Sequence, residues 1–107
     1  MALHHARPGE IVDLRPLGAA IGRAATSALV KSDRFEAIRL IVLAGATIPA
    51  HSTPGFVTLH CLEGAVSLDP VAAELRAGDW IFLDRGTPHA VTGLEDSSLL
   101  LTILFDD

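Results

Sequence analysis

The sequence predicts an all-β fold, a small barrel or double-sheet sandwich of about eight strands. Its apolar stretches are short, rich in Val, Ile and Leu, and broken at close intervals by Gly, Pro, Asp or Ser, the pattern of strands joined by tight turns. The breaks themselves carry residues that accept sharp reversals: Ser32-Asp33, Glu63-Gly64, Asp69-Pro70, Ala77-Gly78-Asp79 and Arg85-Gly86. With 107 residues, half of them apolar and a fifth charged, the chain holds one domain with a modest core that folds without disulfides.

Taken in order, residues 1–10 read as a flexible leader, and residues 11–107 as the single domain. His4 and His5 fall in this leader beside Arg7, Pro8 and Gly9, where a frayed terminus is expected and no role is assigned. Over 16–25, Leu17, Ala20 and Ile21 recur at helical spacing behind Pro16, so one short N-terminal helix is expected, weakened by Gly18 and Gly22. Strands are expected over 27–31, 35–44, 56–62, 65–68, 72–75, 80–84, 89–92 and 97–105. The 35–44 segment carries apolar residues on both faces, as in Ile38, Leu40, Ile41, Val42 and Leu43, so part of that surface asks for a partner. Gly64, Gly78 and Gly86 border β-type runs, where a reversal needs positive φ.

Charge narrows the function classes. Lys plus Arg number 8 against 13 Asp plus Glu, a net charge of -5, which opposes binding to nucleic-acid phosphates or an anionic membrane surface. Small molecules or protein partners fit better. Cys61 is the only cysteine, so no internal disulfide asks for an oxidising compartment, and a cytoplasmic setting is expected. No stretch approaches the roughly 20 apolar residues of a membrane span, and residues 1–10 lack a signal-peptide core. Nucleophile elbows and phosphate-cradling glycine loops are absent too. Glu63, Asp79 and Asp84 sit at expected turns, while Glu95-Asp96 and Asp106-Asp107 read as solvated charge.

A specific resemblance lies in the middle of the chain. Gly45, five residues, His51, one residue, Thr53, three residues, Val57, six residues and Gly64 has the spacing of the first motif of the cupins. Gly78, five residues, then Asp84-Arg85-Gly86-Thr87-Pro88-His89 and Gly93 is similar to their second motif. The resemblance spans roughly 27–105 and implies the double-stranded β-helix, a jelly-roll barrel. In cupins two histidines and a glutamate of the first motif, with a histidine of the second, bind a metal inside the barrel. His51 and His89 keep two of those positions; Thr53 and Val57 stand where the other two ligands are lost. Asp84 and Gly93 replace the family's Pro and Asn at positions that shape turns. The family resemblance also implies a homodimer, formed by strand exchange or by sheets packing face to face. Trp80, following Asp79 at the start of an expected strand, is expected to close a barrel end or to pack between subunits, where Trp is favoured.

An interior metal needs three or four N, O or S donors, and His51 with His89 gives two. Whether His60 adds a third depends on register, because alternate residues of a strand face opposite sides. In the motif alignment Val57, Leu59 and Cys61 point inward and His60 does not. A bulge at Thr53-Pro54-Gly55 would instead turn Phe56, Thr58 and His60 inward, making a His51, His60, His89 site with an open position suited to Zn or Fe(II). Cys61 is a further donor in the unshifted register, though a buried cysteine is ordinarily an inert hydrophobe. Two functions follow as expectations. The favoured one is a barrel that binds a small ligand, with one divalent ion (Fe, Mn, Ni, Cu or Zn) or none. The alternative is a metal-dependent cupin enzyme of the dioxygenase, isomerase or decarboxylase type.

Overall fold

A computed structural model describes residues 5–105; His4 and the Asp106-Asp107 pair lie outside the described residues. Nine strands form among them: β1 (Ser27–Lys31), β2 (Phe35–Val42), β3 (Thr47–His51), β4 (Val57–Glu63), β5 (Ala65–Asp69), β6 (Ala73–Arg76), β7 (Trp80–Leu83), β8 (His89–Gly93) and β9 (Ser97–Leu104). They make two antiparallel sheets, ordered β1-β2-β9-β4-β7 and β3-β8-β5-β6. The chain crosses between them repeatedly, which is the jelly-roll path. The core lies between the sheets, with Val42, Leu59, Cys61 and Leu99 from one facing Val66, Leu68 and Val91 from the other. Along β4 burial alternates, Val57, Leu59 and Cys61 being buried and Thr58, His60 and Leu62 less so, the period-two signature of a half-buried strand.

Eight of these strands coincide with the expected ones to within one or two residues. The ninth, β3, was not expected, because Pro49 lies inside it. It forms because β3 is an edge strand of its sheet, and because its pairing with β8 slips by one residue between Ile48 and His51. An edge with a bulge is where a residue without an N–H is tolerated. The expected helix shrinks to a 3₁₀ helix at Gly18–Arg23, anchored by the buried Ile21. Its glycines disfavour a longer α-helix.

Gly64, Gly78 and Gly86 adopt φ of +84°, +96° and +72°, as the reversals require. Gly93 departs from the turn role that the motif alignment gave it. It ends β8, and a Cβ there would run into the Leu43 carbonyl, so the position needs a glycine for close backbone approach.

Glu63, expected as turn charge, is instead a half-buried hub. Its carboxylate accepts from the N–H of Leu17 at 2.7 Å and of Gly18 at 3.2 Å, and from Ser98 Oγ at 3.1 Å. Arg39 Nη2 lies 3.9 Å away and donates to the Arg15 carbonyl at 2.7 Å. Together these groups pin the segment before β1 onto the five-stranded sheet. Further upstream, Ala6 N–H donates to the Leu29 carbonyl at 2.7 Å. No helix among the described residues is long and apolar enough to cross a membrane.

Candidate functional site

His51 ends β3 and His89 begins β8, and the slip in β3 makes them direct cross-strand partners. Their ring centroids are 4.5 Å apart with planes tilted by 55°. His89 is only 3% exposed, whereas His51 is open to solvent. Each Nδ1 lies 3.3 Å from a backbone carbonyl two residues earlier, Pro49 for His51 and Thr87 for His89. A carbonyl only accepts, so the neutral imidazoles carry their proton on Nδ1, and both Nε2 atoms keep a lone pair. Burial pushes the His89 imidazole below its ordinary value; the Thr87 carbonyl opposes that shift, and a charged His51 would add to it. His89 is therefore a neutral acceptor near pH 7.

Thr53 is half-buried. Its Oγ1 donates to the Gly55 carbonyl at 3.3 Å, and its own carbonyl accepts from Gly86 N–H at 2.9 Å, tying the connection after β3 to the turn before His89. Val57 is buried on β4, between Leu83 of β7 and Ile103 of β9. An aliphatic side chain thus fills the place of the first motif's carboxylate.

His60 does not join this pair. It sits opposite Trp80 of β7 and Leu100 of β9, on the face away from the buried Val57, Leu59 and Cys61. The bulge that the 53–55 sequence invited lies earlier, at Pro49 and Ala50 in β3, so the register of β4 is unshifted and the three-histidine arrangement is not made. Cys61 is fully buried, its Sγ donating toward the Glu63 and Gly64 carbonyls at 3.5 and 3.7 Å. Burial pushes its thiol up, a backbone contact with Glu63 opposing and nearby carboxylates reinforcing, which keeps it protonated and poor as a ligand. Among the described residues no group of three His, Cys, Asp or Glu side chains could hold a metal ion. Two imidazoles beside a valine and a threonine do not fit a resident metal centre of three or four donors.

Beside Thr53 a cleft of about 310 Å³ opens where the start of β2 and the end of β9 meet the 53–55 connection, lined by Glu36, Thr53, Pro54, Ile103, Leu104 and Phe105. Glu36 pairs with Ile103, which pairs with Val57, so its side chain belongs to the same inward row as the missing ligand. It shares that parity with Ile38, Leu40 and Val42, which pack in or against the core. Sequence reasoning passed Glu36 over. Its signal was the even-numbered parity of the 35–44 strand, masked by apolar residues on both faces.

The chain is similar to several solved structures. A cupin superfamily protein from Desulfitobacterium hafniense is 23% identical with a TM-score of 0.76, the likeness covering 94% of this chain and 100% of that one. A conserved protein of unknown function from Streptococcus pyogenes is 19% identical with a TM-score of 0.76, over 100% and 99% of the two chains. An RmlC-like cupin family protein with a double-stranded β-helix fold, from Methanocaldococcus jannaschii, is 13% identical with a TM-score of 0.71, over 90% and 93%. No family model matches the chain, and no curated protein does. The fold is that of a small cupin, a double-stranded β-helix.

Proposed function

We propose that this small cupin-fold chain is a ligand-binding barrel whose mouth takes one small organic molecule and works without a resident metal. The observation that carries this reading is the His51–His89 pair, two rings 4.5 Å apart with both Nε2 atoms free to accept, next to a cleft of about 310 Å³. Two tilted acceptors, His51 lying two residues along the chain from Thr53 of a mostly apolar hollow, suit a ligand with O–H or N–H donors on an apolar body. A small molecule also accords with the net charge of -5. The single thiol supports a cytoplasmic setting.

The test is a fragment titration followed by amide NMR on the wild type and on the His51→Ala/His89→Ala variant. Expected are fragments that shift the amides of His51, Thr53 and His89 in the wild type and lose affinity in the variant. A wild type in which no fragment moves these amides would overturn the reading.

One observation favours a second reading, the metal-dependent enzyme of dioxygenase, isomerase or decarboxylase type. The Nδ1–carbonyl contacts of both histidines match the way metal-ligating imidazoles are oriented. Untagged protein prepared without chelators decides between them. We expect well under one equivalent of Fe, Mn, Ni, Cu or Zn; a full equivalent that disappears with His51→Ala would replace the first reading by the second.

We also propose that the chain pairs with a second copy of itself through the outer face of β7. Trp80 and Phe82 are 60% and 55% exposed there, with ring centroids 6.3 Å apart, so Trp80 does not fill the barrel. The second edge of β7 pairs with no described strand, and the same edge of another copy complements it in antiparallel sense. Sedimentation should give a dimer for the wild type and a monomer for Trp80→Asp/Phe82→Asp. A wild-type monomer would refute the pairing.

A further inference from the structure

We infer that the ligand of the barrel mouth carries an ammonium group, held by the Glu36 carboxylate and the Thr53 hydroxyl; the inference rests on the small-ligand reading above and names the class of ligand. Glu36 is half-buried and belongs to the inward-facing row of β2. Among the described residues its carboxylate makes no ion pair or hydrogen bond. Lys31 is its cross-strand neighbour on β1 and forms no ion pair with it. A carboxylate left open to a cleft walled by Pro54, Ile103, Leu104 and Phe105 is the one charged side chain among the described lining residues, in an apolar setting where its attraction for a cation is less screened than on open surface.

The other classes fit less well. An anion meets repulsion from Glu36. A bare metal ion finds one carboxylate and one hydroxyl, too few donors for Zn or Ca. His51 and His89 cannot complete that set, since neither lines the cleft and no three such groups converge. An organic ammonium uses what is present. Its N–H groups donate to the carboxylate and to a lone pair of Thr53 Oγ1, whose own proton is engaged by the Gly55 carbonyl. The apolar body packs on Ile103, Leu104 and Phe105. Glu36 lies two strands from Val57 along the row Val57–Ile103–Glu36, about 10 Å at ordinary strand spacing. It is thus no replacement for the missing metal ligand but an anchor displaced toward the rim.

The test compares benzylamine, benzyl alcohol and benzoate, three probes of similar shape that differ in charge, by amide NMR titration of the full chain. Benzylamine should shift the amides of Glu36, Thr53 and Phe105 and bind about tenfold or more tightly than either other probe, as a charge-assisted bond requires. Glu36→Gln should abolish that preference, while unchanged circular dichroism confirms the fold. Equal binding of the amine and the alcohol, or a preference that survives Glu36→Gln, overturns the ammonium assignment and leaves the small-ligand reading standing. Failure of benzylamine to move the cleft amides overturns it too, and the small-ligand reading then falls only if the His51 and His89 amides stay unmoved in the fragment titration.

Discussion

At the residue scale the two turn glycines Gly64 and Gly78 separate conformational strain from collision. Both hold positive φ, +84° and +96°, but a Cβ at Gly78 meets nothing within 4 Å, whereas at Gly64 it would run into the Asp96 carbonyl and Ser97. Gly78→Ala should therefore cost about 1–2 kcal/mol, the penalty of a left-handed alanine. Gly64→Ala should cost about 3 kcal/mol or more, because the obstacle is backbone and cannot swing aside. Urea unfolding of the two variants measures the difference, and equal losses would show that the Asp96 segment yields to the methyl group. Ser97 belongs to the same corner: its Oγ accepts from Ala65 N–H at 2.9 Å and lies within 2.7 Å of the Glu95 carbonyl, so the hydroxyl holds the backbone that a Cβ would displace.

At the element scale the site depends on one irregular strand. The extra residue in β3 lets Ile48 face Val91 and His51 face His89 although the spacing differs by one on the two sides. Removing Ala50 should restore an even ladder with His51 still opposite His89, because the β3 side then spans the same two steps as Val91 to His89. We expect the deletion to fold, with a change of about 1–2 kcal/mol, and to keep the ring-to-ring NOEs between His51 and His89; loss of those NOEs would show that the ladder does not close evenly around the missing residue. This strand also marks where the sequence stops being legible. The turn glycines and the period-two burial of β4 could be read directly, because each depends on local chemistry. So could the inward direction of Val57 under the motif alignment. β3 could not, since Pro49 speaks against a strand and only its place at a sheet edge permits one. His60 was ambiguous for the same reason: Thr53-Pro54-Gly55 and Pro49-Ala50 both invite a bulge, and tertiary pairing chooses between them. Glu36 was hidden because the apolar residues of β2 face both a core and an outer surface.

At the scale of the whole molecule two titratable groups, the half-buried Glu63 and the buried His89, make stability depend on pH in the same sense. For Glu63, burial alone would raise its value, but the Leu17 and Gly18 amides, Ser98 and the Arg39 guanidinium outweigh it and hold the carboxyl below its ordinary 4.5. Its contribution is present in full above that unfolded value and is lost as pH falls through the folded one. His89 is held below 6.5, chiefly by burial. As pH falls past 6.5 the unfolded chain takes up a proton before the folded chain does, so stability drops again with acidification. The two losses are ordered, His89 first and Glu63 second. Urea midpoints measured near pH 7.5, 5.5 and 4 should fall at each step. Glu63→Gln should flatten the second step and lower stability at neutral pH by about 2 kcal/mol, because Arg39 loses its carboxylate while its Nε is already buried without a partner. A wild type equally stable near pH 7.5 and 5.5 would remove the His89 step. Retention of the lower step in Glu63→Gln would assign it to other carboxylates. The coupling matters for more than stability, because Glu63 holds the segment before β1 against the outer sheet. Its protonation should free Leu17 and Gly18, and lower protection of those two amides near pH 4 than near pH 7.5, each taken relative to the intrinsic exchange rate at that pH, would locate the acid-labile joint there.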